Sequence, residues 1–249
     1  MGPRQVGKTW IVVEEFSKFF SSFVKINFDE EPEFKQLFKV SKNPERLIEN
    51  ISLAKNENIV EDKTLLFFDE IQECPDALNS LKYFYEQKPQ LHIVSAGSLL
   101  GLHSKEGFPV GKVEFMDLGP LNFKEFLCAS NEYNLSTFIG EYDVLDNIPD
   151  IFSGPLIERM KNYFLIGGMP EPVKIWFSKK DINEVNLEKN SILNSYRRDF
   201  GKHSADSDLP KICLVWDSLP AQLSKENKKF LYNVVKSGAR AREYENALY

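Results

Sequence analysis

The densest chemistry in the chain lies in its opening residues, Gly2-Pro3-Arg4-Gln5-Val6-Gly7-Lys8-Thr9. Their order fits G-x-x-x-x-G-K-[ST], the spacing of a phosphate-binding loop. The two glycines let the backbone curl until its N–H groups point inward at phosphate oxygens. Lys8 then reaches the β- and γ-phosphates, and the Thr9 hydroxyl holds Mg²⁺. The loop feeds a helix N-terminus, whose partial positive charge favours an anion. All eight residues from Gly2 to Thr9 are therefore candidates for nucleotide binding. The Arg4 side chain is free to point outward, at solvent or a neighbour rather than at phosphate. Without ligand, the Lys8 side chain should face solvent.

A second chemical element follows at Thr64-Leu65-Leu66-Phe67-Phe68-Asp69-Glu70. An apolar run ending in two acids reads as a buried parallel strand with a reactive tip, the Walker B pattern. Asp69 would orient Mg²⁺, and Glu70 would polarise the attacking water. Ligands of α/β sheets sit beyond the carboxyl ends of the strands, so this tip can approach the loop. The blander reading is a buried strand followed by a solvated acidic turn. Ser98, just past the next strand, could touch the γ-phosphate or the lytic water, with Ser95 a weaker alternative. Ser98 could equally cap the helix that begins at Leu99-Leu100.

These groups need a scaffold, and the pattern supplies one. Residues 8–23 place apolar side chains near helical spacing, and residues 24–28 alternate as a strand. Short helices follow over 31–39 and 44–56. The strand ending at Asp69-Glu70 precedes a helix opened by Pro75. Residues 91–95 and 112–118 read as two more strands, and Asn122 begins another helix. Strands alternating with helices predict an α/β fold with a parallel sheet. This domain should occupy residues 1–130. Beyond it, helices dominate: 131–141, 154–166 and 181–202, two of them broken by Gly167-Gly168-Met169-Pro170. Residues 131–205 read as a mainly helical domain, and 206–249 carry further amphipathic segments.

Composition narrows the function classes. The 249 residues carry a net charge of −6, which argues against non-specific nucleic-acid binding by the whole surface and leaves only local basic patches open. Cys74, Cys128 and Cys213 lie far apart and form no metal-ligand or disulfide pattern, which suits reduced thiols in the cytoplasm. No apolar run reaches the length of a membrane span. His92, His103 and His203 are scattered without an acid–base partner.

Taken together, the loop, the Asn27-Phe28-Asp29-Glu30 strand end and Phe68-Asp69-Glu70-Ile71-Gln72-Glu73-Cys74-Pro75 resemble the prokaryotic AAA-type ATP-binding proteins. The resemblance extends through Ala96-Gly97-Ser98-Leu99-Leu100-Gly101, Pro109-Val110-Gly111-Lys112-Val113, Leu121-Asn122-Phe123-Lys124-Glu125-Phe126-Leu127 and Gly167-Gly168-Met169-Pro170-Glu171. It implies a P-loop ATPase core, a helical lid over 131–205 and a winged-helix segment. Set beside that pattern, the chain reads as truncated at both ends, lacking the strand before the loop and ending within the winged helix. ATP rather than GTP follows from the resemblance alone. The chain also lacks the Asn/Thr-Lys-x-Asp box that many GTPases use for guanine. Similar Arg-Asp segments end the lid in such proteins. Arg197 and Arg198 are thus the candidates for an arginine finger, supplied within the chain or from a neighbouring subunit of a homo-oligomer. An ordinary surface ion pair is the alternative for Arg198.

The expected reaction is Mg²⁺-dependent attack of water on the γ-phosphate of ATP. Glu70, Ser98 and Arg198 are the expected catalytic residues, and Thr9 and Asp69 the metal-holding ones. Two alternatives remain. Lys225, Lys228, Lys229, Lys236, Arg240 and Arg242 make the C-terminal segment locally basic. A winged helix there could make the chain a nucleotide-gated DNA-binding module, although a solvated helix face explains the same charges. The other alternative is a non-functional truncated fragment.

Overall fold

The computed structural model describes residues 2–97, 111–142, 148–203, 207–227 and 229–248. The chain divides into two compact units, Met1–Val173 and Lys174–Tyr249.

The first unit is built on three parallel strands in the order β1-β2-β3: β1 Ser22–Asn27, β2 Thr64–Asp69 and β3 His92–Ser95. Every residue of β2 is buried, as a central strand covered on both faces requires. Its side chains alternate between the faces. Leu66 and Phe68 join Val24, Ile26 and Phe28 in one core, covered by α2 (Phe34–Val40), α3 (Pro44–Lys55) and α4 (Pro75–Gln87). Phe68 sits at its centre, with ring contacts to Phe28, Phe38 and Phe84. Leu65 and Phe67 face the other way. They pack with Val12, Ile11, Val13 and Phe16 from the helical stretch that follows the phosphate loop. Period-two alternation therefore turns Asp69 toward that same stretch.

Local signals set the element ends. Asn43 caps α3 by accepting the Arg46 N–H at 3.2 Å, with Pro44 in the first turn. Asn122 and Glu125 form a reciprocal capping box at the start of α5 (Phe123–Ala129). Two further helices complete this part, α6 (Tyr133–Glu141) and α7 (Asp150–Ile166), and Arg159 of α7 pairs bidentately with Glu132.

Two expectations from the sequence are corrected. The first helix does not run to residue 23. It comprises α1 (Lys8–Trp10), a wide turn over Ile11–Glu15 and a tight turn over Phe16–Phe19. Phe20 is already extended, at φ −119° and ψ 152°. Phe20 and Phe23 pack on the sheet as Phe16 does, so their spacing imitated a helix while belonging to a strand entrance. Residues 112–118 are irregular rather than a strand. Among the described residues the outer edge of β3 is unpaired, and residues 112–118 form no ladder with it. Val113 nonetheless packs on the core.

α8 (Pro170–Lys179) spans the division between the units. In the second unit lie α9 (Ile182–His203), α10 (Leu209–Leu223), α11 (Tyr232–Val235) and α12 (Ala241–Leu248). Trp216 of α10 packs on Tyr196 and Phe200 of α9 at centroid distances of 5.7 and 5.2 Å. The buried Gln222 amide bonds both to the N–H and to the carbonyl of Leu231, fixing the turn after α10.

Candidate functional site

The phosphate loop owes its shape to backbone that side chains resist. Gly7 lies at φ 90°, ψ 19°, in the left-handed region, immediately before α1. A Cβ on Gly2 would stand 2.0 Å from the Leu118 carbonyl oxygen, so only glycine permits that approach. Val6 is buried and anchors the loop between them.

Lys8 is half-buried rather than turned fully to solvent. Its Nζ donates to the carbonyls of Gly2 and Pro3, at 2.9 and 2.6 Å, folded back over the loop. Burial pushes its pKa below the ordinary lysine value. Glu70 is the largest electrostatic influence in the opposite direction, followed by the lowering effect of Arg4 and the raising effect of Asp69. Lys8, Glu70 and Asp69 thus share one electrostatic environment.

Thr9 meets Asp69 directly. Its Oγ1 lies 3.0 and 3.1 Å from the two carboxylate oxygens. The Asp69 side chain is only 4% exposed and has two further neighbours to offset that burial. Lys25 Nζ lies 3.0 Å from Oδ2, and the Glu70 N–H donates to Oδ1 at 3.2 Å. The strand ends are stitched beside it: the Phe28 N–H donates to the Asp69 carbonyl, the Ala96 N–H to that of Phe68, and the Ile71 N–H to that of Ala96.

Glu70 takes a left-handed backbone, φ 50° and ψ 45°, which is uncommon for a residue with a Cβ. The turn swings its side chain off the strand axis. There its Oε2 accepts from Gln72 Nε2 at 2.6 Å.

Two members of this constellation, Lys25 and Gln72, escaped the sequence reading. Lys25 is the one charged residue of β1, and the two-residue spacing to Asn27 puts both on one face. A lone cation in such a strand was the available signal, but its partner emerges only from the β1–β2 register, which pairs Asn27 with Asp69. Gln72 gave no comparable signal.

Magnesium fits the donors present. A hydroxyl and a carboxylate are hard oxygen ligands, and the Lys25 ammonium shows that this carboxylate accommodates a cation beside it. No group of three or more His, Cys, Asp or Glu residues able to hold a metal occurs among the described residues. Mg²⁺ does not need one, because it usually keeps water and substrate phosphate in its shell.

Ser98 lies outside the described residues. Ser95, on β3, lines a cavity of about 450 Å³ together with Lys8, Val94, Gly97 and residues 113–118. That cavity is lined mainly by aliphatic and aromatic residues, and Lys8 is the member of the cluster that borders it. In the second unit, Arg197 pairs with Asp217 rather than with a neighbour in sequence. Arg198 is exposed and has no ion pair among the described residues. Lys236 and Arg240 are exposed in the connection between α11 and α12, and Arg242 is exposed on α12 beside Glu243 and Glu245. Cys74, Cys128 and Cys213 are free thiols.

Residues 1–127, which hold the whole cluster, match the family described as an AAA domain. The chain belongs to the AAA domain family. The AAA domain is of the P-loop, nucleotide-binding ATPase type, in keeping with its parallel sheet flanked by helices. Residues 157–249 match a domain of unknown function, DUF8612. No curated protein matches the chain. No helix among the described residues is long and apolar enough to cross a membrane.

Proposed function

We propose that this AAA domain binds ATP with Mg²⁺ and hydrolyses the bond between its β- and γ-phosphates. The observation that carries the reading is the meeting of Thr9 with Asp69 beside Lys8 and Glu70. A phosphate loop and an acidic strand tip, remote in sequence, converge on one point.

The roles follow from the chemistry of each group. The loop from Gly2 to Thr9 cradles the phosphates through its N–H groups. Lys8 leaves the carbonyls of Gly2 and Pro3 and offsets the phosphate charge. Thr9 and Asp69 hold Mg²⁺, which when bound neutralises charge on the β- and γ-oxygens. Glu70 takes a proton from water as the water oxygen bonds to the γ-phosphorus. The bond from that phosphorus to the bridging oxygen breaks, and ADP leaves with the electron pair. Ser98 contacts the γ-phosphate. Arg198 offsets charge on the transferring group, supplied by a neighbouring copy in a homo-oligomer. The lid over 131–205 and the winged-helix segment over 206–249 belong to this same reading.

The test is Glu70→Gln. The amide keeps the shape and loses the charge that accepts the proton. ATP binding should persist, while turnover falls by about 10²–10⁴-fold. Turnover within a few-fold of the wild type would remove Glu70 as the base.

A further inference from the structure

Gln72 has no role in the reaction as set out above, yet its side chain is fixed by it. Its Nε2 donates to Glu70 Oε2 at 2.6 Å, while its own Oε1 is buried without a hydrogen-bond partner among the described residues. Rotating the amide would bring that oxygen against the Glu70 carboxylate. The donor end is therefore committed to Glu70, and the unused acceptor is what that commitment costs. The backbone agrees. Glu70 sits in the left-handed region and Gln72 in the tight turn Ile71–Glu73, which the Ile71 N–H ties to the Ala96 carbonyl at 3.0 Å. The carboxylate so held is the strongest charge acting on Lys8.

We propose that Gln72 is a positioning residue that aims the Glu70 carboxylate at the phosphate end of the loop. The inference rests on the reading of Glu70 as the base. A carboxylate on a two-carbon stem has several rotamers, and one hydrogen bond from a pinned amide selects among them. Gln72 then acts through Glu70 alone and touches neither nucleotide nor metal.

Gln72→Met keeps the length of the side chain and removes the donor. Its turnover should fall by about ten- to a hundredfold, the scale on which misplacing a catalytic group acts. Its affinity for Mg²⁺-ATP, measured by calorimetry, should stay within about twofold of wild type, since uniform binding is untouched. In the Glu70→Gln background the same substitution should be silent, because the group it positions is gone. Gln72→Glu should slow turnover further by placing like charge against Glu70, and it serves if Gln72→Met does not fold. Unchanged turnover in Gln72→Met, a loss carried by affinity instead, or an equal loss in the Glu70→Gln background would each overturn the proposal. Failure of the underlying reading is distinct: Glu70→Gln itself would then turn over like wild type.

Discussion

Thr9 and Asp69 are 60 residues apart in sequence, and the Thr9 hydroxyl lies 3.0 Å from the Asp69 carboxylate. Two elements produce the contact. The loop ends in α1, the turns that follow it lay Ile11, Val12, Val13 and Phe16 on one face of the sheet, and alternation along β2 points Asp69 at that face. The expected consequence is metal-dependent. In Thr9→Val, calorimetry should show that added Mg²⁺ no longer strengthens ATP binding as it does in wild type. Metal-free affinity should change little, because the loop N–H groups remain. An undiminished Mg²⁺ effect would remove Thr9 from the metal site.

Lys25 is the resident counter-ion of Asp69. Lys25→Met should leave a nearly buried carboxylate without its cation and lower stability by about 1–3 kcal/mol. That is below the cost for fully buried pairs, because Lys25 is partly exposed. The same substitution should make Mg²⁺ raise the melting temperature more than in wild type, since the ammonium no longer competes for the carboxylate. Thermal melts with and without Mg²⁺ measure both effects. A smaller Mg²⁺ shift in the variant would show that Lys25 assists the metal instead.

Burial holds the Lys8 pKa below its ordinary value of 10.5. Between the lowered value and 10.5, the unfolded chain binds this proton more fully than the folded one. The Lys8 contribution to folding stability therefore improves as pH rises through that window. Nucleotide binding goes the other way, because phosphate needs the ammonium. ATP affinity should weaken on the alkaline side before an ordinary lysine would lose its charge. Lys8→Arg, which stays ionised, should lack this alkaline loss whatever its baseline affinity. Parallel pH profiles for the two proteins would contradict the assignment.

Gly7 tests the loop as backbone. Apart from its chain neighbours, no atom of the described residues lies within 4 Å of a Cβ built there, so Gly7→Ala adds strain at φ 90° without a clash. The cost should be about 1–2 kcal/mol, expressed as lower stability or as a relaxed loop with weaker ATP binding. Gly2→Ala meets the Leu118 carbonyl instead and should be the more damaging of the two. Equal melting curves and equal affinities for both variants would show that neither constraint matters.

What the sequence made legible was whatever depends on local pattern. The loop spacing and the apolar run before Asp69-Glu70 located both halves of the cluster. Pro75 and Asn122 marked true helix starts. Less legible was anything that depends on a neighbour. Residues 112–118 alternate like a strand, but a strand exists only beside another, and they pair with none among the described residues. Phe20 and Phe23 fitted a helical period because the same sheet face receives them from an extended chain. Lys25 became part of the site through strand register, and Gln72 through the left-handed turn at Glu70.

The central claim is that the loop is a working nucleotide site, and calorimetric titration of ATP with Mg²⁺ into wild type and Lys8→Ala tests it most directly. Wild type should bind with a measurable heat. Lys8→Ala should lose binding while melting at or above the wild-type temperature, since it sheds a cation that burial disfavours. Equal ATP affinity in the two proteins would contradict the account.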